Sequence, residues 1–278
     1  MESPRELRQQ RWRASYPGER GFYSVTRDLR IQDVAIRNCR KAVPDSSHGC
    51  PRHSLSESRR SFLRLIIIRH AQTVWNAAGR IQGQADPELS DAGRNQCELV
   101  AARLASTSID ALYTSDLSRA RQTAEAVANR HPGLPVQVDT GLREIDLGAW
   151  EGATRATLQA GWPELLNQWQ QQPSWDLVPG GEGGPAFQER VLGTFGRIAA
   201  THGDGESVAV VTHIGVIRTL LSTIVGAPPH DLRWPWAIDN TALTLLQGPT
   251  DSSLWSTPAM EVLAINDNRH LRPSPAPA

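Results

Sequence analysis

The sequence has no hydrophobic run long enough to cross a membrane. Its longest aliphatic run in 278 residues is Leu65 to Ile68, whereas a helical span needs about 20 apolar residues. Residues 1–30 also lack the apolar segment of a secretory signal peptide, so none is expected. Three cysteines are too few for a disulfide framework and favour a reducing, cytoplasmic setting. We therefore expect a soluble globular protein with no membrane partner.

Lysine is nearly absent, since Lys41 is the only one, and the net charge is zero. The charge is uneven, because residues 1–61 carry 13 basic and 7 acidic residues while the remainder carries 16 basic and 22 acidic residues. The first 61 residues are rich in Arg and Ser and show no lasting apolar period, which predicts a disordered basic extension. The alternative is an arm that binds nucleic acid. No nucleic acid partner is expected, because acidic residues are interspersed and no motif of that kind occurs.

From residue 62 to residue 272 the pattern alternates between strands and helices, and the tail 273–278 (PSPAPA) is predicted to be disordered. Alternation of this kind predicts an α/β fold, a three-layer α/β/α sandwich with a mostly parallel central sheet. The segments predicted as strands are Leu63–Arg69, Ile109–Tyr113, Pro135–Val138, Ser207–Thr212 and Thr241–Gln247. The predicted helices follow Ser90, Ser115, Gly184 and Gly215.

Two of the predicted strands end in histidine, at His70 and His213. Ligands of open α/β sheets bind beyond the carboxyl ends of the strands, so these two side chains are candidates for one site. Arg69 precedes the first histidine, and Arg119 lies in the first turn of the helix predicted to begin at Ser115, where free N–H groups favour anions. Two guanidinium groups and two imidazoles suit a phosphoryl dianion.

These residues resemble the signature of the histidine phosphatase superfamily, which is also described as phosphoglycerate mutase-like. The resemblance covers about three quarters of the chain, from Leu63 to Leu271. Its motifs occur in the order of the family: LIIIRHAQT at 65–73, Asn76, Gln82-Gly83, SDLSRARQTA at 115–124, LREIDLGAWEG at 142–152, PGGE at 179–182 and Thr212-His213.

The resemblance implies that His70 is the nucleophile that becomes a phosphohistidine and that Glu144 is the general acid and base. It implies that the phosphoryl group is bound by Arg69, Asn76, Gln82, Gly83, Arg119 and His213. Arg69, Arg119 and His213 would stabilise charge during transfer, so no metal or cofactor is expected. The substrate is expected to be a small phosphomonoester, and the sequence around Glu144 resembles the phosphatase branch. The oligomeric state is not indicated.

Two positions depart from the family pattern. Ala71 follows the first histidine where glycine is usual, so a positive φ there would strain the backbone. Ile214 likewise stands where glycine often follows the second histidine. Neither change removes a chemical group of the predicted site.

Other interpretations of the sequence remain open. A cofactor-dependent phosphoglycerate mutase or a non-catalytic protein that binds phosphorylated ligands would share these motifs. Cys97 and Arg103 fit the C-x₅-R spacing of cysteine phosphatases, but no glycine-rich loop lies between them and the periodicity places Cys97 on the apolar face of a helix. Four residues of the extension offer zinc ligands at a spacing that matches no known finger: Cys39, His48, Cys50 and His53.

Overall fold

The structure is a computed structural model that describes residues 62–226, 237–249 and 260–272. The predicted extension 1–61, with its candidate zinc ligands, and the predicted tail 273–278 lie outside these residues. Among the residues described, no helix is long and apolar enough to span a membrane.

A six-stranded mixed sheet forms the centre of the described fold, with the strand order β3-β2-β4-β1-β5-β6. Its strands are β1 (Phe62–Arg69), β2 (Ala111–Thr114), β3 (Val136–Val138), β4 (Ser207–Thr212), β5 (Leu243–Pro249) and β6 (Glu261–Asp267). Strands β1 to β4 run parallel, and β5 pairs antiparallel with both β1 and β6. The mostly parallel sheet predicted from the sequence is confirmed.

Helices cover both faces of this sheet. They are α1 (Val74–Ala77), α2 (Asp91–Leu104), α3 (Ser118–Ala128), α4 (Arg155–Gly161), α5 (Pro163–Gln171), α6 (Gly184–Thr201) and α7 (Ile214–Val225). Strand β1 shows why both layers are needed, because Leu65 and Ile67 pack in the cluster of α6 and α7, while Ile66 and Ile68 pack with α2 and α3. A strand buried on both faces has a continuous aliphatic sequence. The predicted α/β/α sandwich is confirmed.

Several element boundaries differ from the prediction. Strand β6 was not predicted, and its edge position with bulged pairing to β5 explains why its sequence shows no clean alternation. Helix α3 begins at Ser118 rather than Ser115, and the Ser118 N–H is not free, because it donates to Asp86 Oδ2 at 2.8 Å. One of the N–H groups expected to be available to an anion in the first turn of this helix is therefore occupied by a carboxylate.

Candidate active site

The two strand-end histidines meet at the carboxyl edge of the sheet. Strands β1 and β4 are neighbours in register, with Arg69 opposite Thr212, so His70 and His213 leave the sheet side by side. Their ring centroids lie 5.1 Å apart. Both side chains are buried. The parallel pairing of two strands that are distant in sequence thus brings the two histidines together.

A hydrogen bond fixes the tautomer of His70. Its Nδ1 lies 2.7 Å from the carbonyl oxygen of Ala71. Because a carbonyl only accepts, Nδ1 carries the proton and Nε2 keeps its lone pair. The nitrogen that faces away from the backbone is therefore the nucleophilic one.

Two buried arginines flank the histidines. Arg69 donates from Nη1 to the carbonyl of Ile238 at 2.6 Å. Arg119, which is 1% exposed, donates to the carbonyls of Ala85 at 2.6 Å and Gly83 at 2.8 Å. Backbone carbonyls thus hold each guanidinium from one side and leave its Nε available.

Within the described residues, four buried nitrogens of this cluster have no hydrogen-bond partner. They are Arg69 Nε, Arg119 Nε, His213 Nδ1 and His213 Nε2. An unpaired buried polar group costs about 1–3 kcal/mol, so such a concentration is unusual in a core. Their chemistry fits a ligand that accepts hydrogen bonds and carries negative charge.

The cluster is strongly cationic, and this changes its titration. Burial, reinforced by the charges of Arg119 and Arg69, holds the pKa of His70 well below its usual range. Burial likewise holds the pKa of His213 well below its usual range, with Arg119, His70 and Arg69 adding to the effect. Burial also lowers the pKa of Arg69 to about 10, although the nearby Glu144 opposes this shift. Both imidazoles are therefore neutral, and both arginines remain charged, at neutral pH.

Glu144 lies at the N-terminus of helix α7, where His213 is the N-cap. Its carboxylate accepts from the N–H of Gly215 at 3.1 Å and from its own neighbour Ile145 at 3.0 Å. A Cβ on Gly215 would lie 2.1 Å from Glu144 Oε1, so only glycine admits the carboxylate at this point. A buried carboxylate thus lies at the helix N-terminus that follows the second histidine.

The side-chain amides of two predicted site residues, Asn76 and Gln82, lie beside Thr73. Its hydroxyl donates to Gln82 Oε1 at 2.8 Å, and its backbone N–H donates to Asn76 Oδ1 at 3.1 Å. These bonds occupy the amide oxygens, so the amide nitrogens are the groups that can donate to an anion. Gly83 contributes its carbonyl to Arg119 and has φ of 54°. The structure thus brings all the predicted site residues into one cluster, while their roles stay predictions.

Three contributors were missed by sequence reasoning. Asn240 donates from Nδ2 to the carbonyl of His70 at 2.9 Å. Glu151 accepts from the backbone N–H groups of Gln84 and Ala85, which fixes the loop that holds Arg119. Arg190 bonds to the backbone of the Glu144 segment. Glu151 lay in a family motif without an assigned role, whereas Asn240 and Arg190 act over long sequence distances that leave no local signal.

The two departures from the family pattern are accommodated. Among the described residues, positive φ outside glycine occurs only at Thr241 and Asn266, so Ala71 is unstrained. The Ala71 N–H donates to the hydroxyl of Thr123 at 3.0 Å, which fixes the backbone after His70. Ile214 begins helix α7, and the position that requires glycine is the next one, Gly215.

Cys97 lies on the buried face of helix α2, as its periodicity predicted. Burial raises the pKa of its thiol, which disfavours the thiolate that a cysteine phosphatase needs. Arg103 Nη2 lies 3.7 Å from Asp267 Oδ2, so this guanidinium pairs with a carboxylate and does not form an anion-binding loop with the thiol. No group of three or more His, Cys, Asp or Glu residues in the described ranges is arranged to hold a metal ion.

Comparison with known proteins identifies the family to which this arrangement belongs. Residues 65–256 match the histidine phosphatase superfamily, branch 1. A glucosyl-3-phosphoglycerate phosphatase from Mycolicibacterium vanbaalenii is 36% identical over 178 residues, which are 62% of this chain and 77% of the relative. Phosphoserine phosphatase 1 from Hydrogenobacter thermophilus is 30% identical over 184 residues, covering 66% of this chain and 86% of the relative.

A solved structure shows the same fold. It is a mycobacterial glucosyl-3-phosphoglycerate phosphatase in complex with VO3, 32% identical to this chain, with a TM-score of 0.65. The match covers 74% of this chain and 99% of that structure.

Proposed function

The chain belongs to the histidine phosphatase superfamily and is a phosphoric monoester hydrolase, and we propose that it acts on small phosphorylated metabolites through a phosphohistidine at His70. The observation that carries the proposal is the set of buried, unpartnered nitrogens on Arg69, Arg119 and His213. These atoms belong to the cluster that contains the His70 imidazole, whose Nδ1 is bonded to the Ala71 carbonyl so that Nε2 keeps its lone pair. A phosphoryl group supplies the oxygen acceptors that they lack.

The first half of the reaction forms the phosphoenzyme. His70 Nε2 attacks phosphorus, the bond from phosphorus to the ester oxygen breaks, and Glu144 gives its proton to the departing alkoxide. In this proposal Arg69 and Arg119 stabilise the equatorial oxygens, and the backbone carbonyls that hold both guanidinium groups support this role. His213 and the amides of Asn76 and Gln82 add further donors.

The second half releases phosphate. Glu144 takes a proton from water as the water oxygen attacks phosphorus, and the bond from phosphorus to His70 Nε2 breaks. The imidazole then returns to its neutral form, which the low pKa of His70 favours. Gly83 contributes through Arg119, because its carbonyl fixes that guanidinium.

The substrate class follows from the phosphate site and the relatives. The described cluster suits the phosphoryl group, and the two relatives named above act on phosphoserine and on glucosyl-3-phosphoglycerate. Both are esters of small hydroxyl compounds that also carry a carboxylate. We therefore place phosphorylated small metabolites of this kind first among the candidates.

Phosphate release from a panel of such esters, with EDTA present, tests the proposal. We expect hydrolysis by the wild type and a loss of at least about 10³-fold in His70→Ala, because the nucleophile is removed. His131→Ala is the matched control, since that residue lies in the turn after helix α3 and should leave the rate unchanged. A rapidly quenched reaction should contain a base-stable, acid-labile phosphoenzyme in the wild type but not in His70→Ala.

Other outcomes would overturn the proposal. Interconversion of phosphoglycerates without net phosphate release would identify a mutase. Tight binding of esters without turnover would identify a non-catalytic phospho-ligand-binding protein. Full activity in His70→Ala would refute the phosphohistidine mechanism.

A further inference from the structure

Arg190 of helix α6 is bonded to the backbone of the segment that carries Glu144. Its Nη1 donates to the carbonyls of Gly141 at 3.0 Å and Arg143 at 2.9 Å. Its Nη2 donates to the carbonyl of Glu144 at 3.2 Å. One side chain thus satisfies three carbonyl groups within four consecutive residues.

Glu182 completes the arrangement from the other side. Its Oε2 accepts from Arg190 Nε at 3.1 Å, and its Oε1 accepts from Arg190 Nη2. The same Oε1 accepts from the backbone N–H of Asp146 at 2.9 Å. The ion pair therefore binds the segment 141–146 at residues before, at and after Glu144. Arg190 is itself oriented by the face of Phe187, whose ring centroid lies 5.0 Å from its guanidinium carbon.

The carboxylate of Glu144 is held by the N–H of Gly215 in the first turn of helix α7 and by the adjacent N–H of Ile145. The backbone of Glu144 is thus fixed by α6 and its carboxylate in part by α7. A proton donor works only when its oxygen stays within hydrogen-bond reach of the leaving group, and a misplacement of about 1 Å can cost 10²-fold in rate.

We propose that Arg190, held by Glu182, is a positioning residue that fixes Glu144 for proton transfer to the leaving group. This inference rests on the proposed role of Glu144 as general acid and base. Arg190 directs its hydrogen bonds to the protein backbone and to Glu182, so it acts on the reaction through Glu144 and not on the phosphoryl group.

If Arg190 positions Glu144, the loss of activity in its variants should depend on how basic the leaving group is. Alkyl esters leave as strongly basic alkoxides and need a proton in the transition state, whereas p-nitrophenolate leaves readily without one. Loss of Glu144 positioning should therefore slow alkyl esters much more than p-nitrophenyl phosphate. A general loss of folding or of phosphate binding would slow both equally.

The experiment compares Arg190→Gln, Arg190→Lys and Glu144→Gln in the full chain. For Arg190→Gln we expect kcat/KM to fall about 10–100-fold on an alkyl phosphate and less than about threefold on p-nitrophenyl phosphate. Inhibition by inorganic phosphate should stay unchanged. Arg190→Lys should recover part of the alkyl ester activity because it can still donate to carbonyls.

Arg197→Gln is the matched control. Arg197 lies on the same helix, is 64% exposed and pairs with Asp139, so its loss should affect neither ester. If Arg190→Gln does not fold, Arg190→Lys and Glu182→Gln carry the same comparison, since both keep part of the bonding.

The outcomes separate this inference from the proposed function. Equal losses on both esters together with weaker phosphate inhibition, or no loss at all, would overturn the positioning role. A leaving-group effect in Glu144→Gln that is absent in the Arg190 and Glu182 variants would refute this inference alone. Absence of the effect in Glu144→Gln would refute the role of Glu144 itself.

Discussion

Gly83 shows how a residue without a side chain supports the chemistry of the site. Its φ of 54° is unfavourable for other residues, and a Cβ there would lie 2.0 Å from Glu151 Oε1. Glu151 fixes the N–H groups of Gln84 and Ala85, and the carbonyls of this loop fix Arg119. Gly83 therefore makes room for the Glu151 carboxylate, and Glu151 fixes the loop that holds the Arg119 guanidinium of the candidate phosphate site.

We expect Gly83→Ala to displace Glu151 and loosen Arg119. It should destabilise the protein by about 1–3 kcal/mol and lower kcat/KM by about 10–100-fold, measured by urea unfolding and phosphate release. Gly79→Ala is the control that introduces backbone strain without a steric clash. Gly79 also has a positive φ, but a Cβ added to it would meet no atom within 4 Å. It should cost about 1 kcal/mol and leave activity intact. Equal activity losses in the two variants would contradict this explanation.

The sequence predicted most residues of the cluster because they stand in short motifs at strand and helix ends. His70 and His213 each follow the end of a strand, and Arg119 lies in the first turn of a helix. Arg190 and Asn240 were not predicted, because their partners lie 46–49 and 170 residues away and backbone carbonyls leave no trace in a motif. A single sequence does not reveal side chains that support a site through hydrogen bonds to distant backbone carbonyls.

Helix α6 joins the hydrophobic core to the site. Phe195 in its C-terminal half and Phe187 in its first turn both pack in the core, and Phe187 also contacts Arg190 and lies near Gly215. Both rings are buried. Both ends of the helix therefore pack in the core, and its first turn also touches the groups around Glu144.

We expect Phe195→Ala and Phe187→Ala each to lower the free energy of unfolding by about 3–5 kcal/mol, since each leaves a cavity of the same kind. Only Phe187→Ala should also lower kcat, by about tenfold, because Arg190 loses the ring that orients it. Denaturant titration and steady-state kinetics at a temperature where both variants are folded measure the two effects. A similar fall in kcat for both variants would show that loss of core packing in general, and not the contact with Arg190, lowers the rate.

The helices and strands with a strong apolar pattern were predicted from the sequence, whereas the edge strand was not. The continuous apolar runs of β1 and β4 and the apolar stripes of α2 and α6 are strong patterns, and each element lies where it was expected. Strand β6 was missed because it lies at the sheet edge and its residues are only partly buried. An edge strand needs no alternation of apolar and polar residues, so its presence is decided by pairing with β5.

At the scale of the whole molecule, the neutral histidines make stability depend on pH. Their folded-state pKa values lie well below 6.5, so the unfolded chain binds more protons below that pH. Stability conferred by the neutral forms is therefore present above about pH 6.5 and lost as the pH falls towards the lowered pKa values.

We expect the wild type to lose about 1 kcal/mol more than His213→Gln between about pH 7 and about pH 5.5, because one titrating group is removed. Urea unfolding of both proteins at the two pH values gives the difference. An identical loss in both proteins would show that His213 takes up as many protons in the folded chain as in the unfolded chain across this range, which would contradict its lowered pKa.

The pairing of β1 with β4 has a consequence for how activity arises during synthesis. His70 and His213 become neighbours only when strands separated by more than a hundred residues zip together. Contacts so distant in sequence close slowly, because the loop-closure entropy is lost before the contacts can form. The two histidines can therefore meet only after the residues of β4 have been synthesised. The histidine pair of the candidate site and the centre of the sheet therefore form in the same late step of folding.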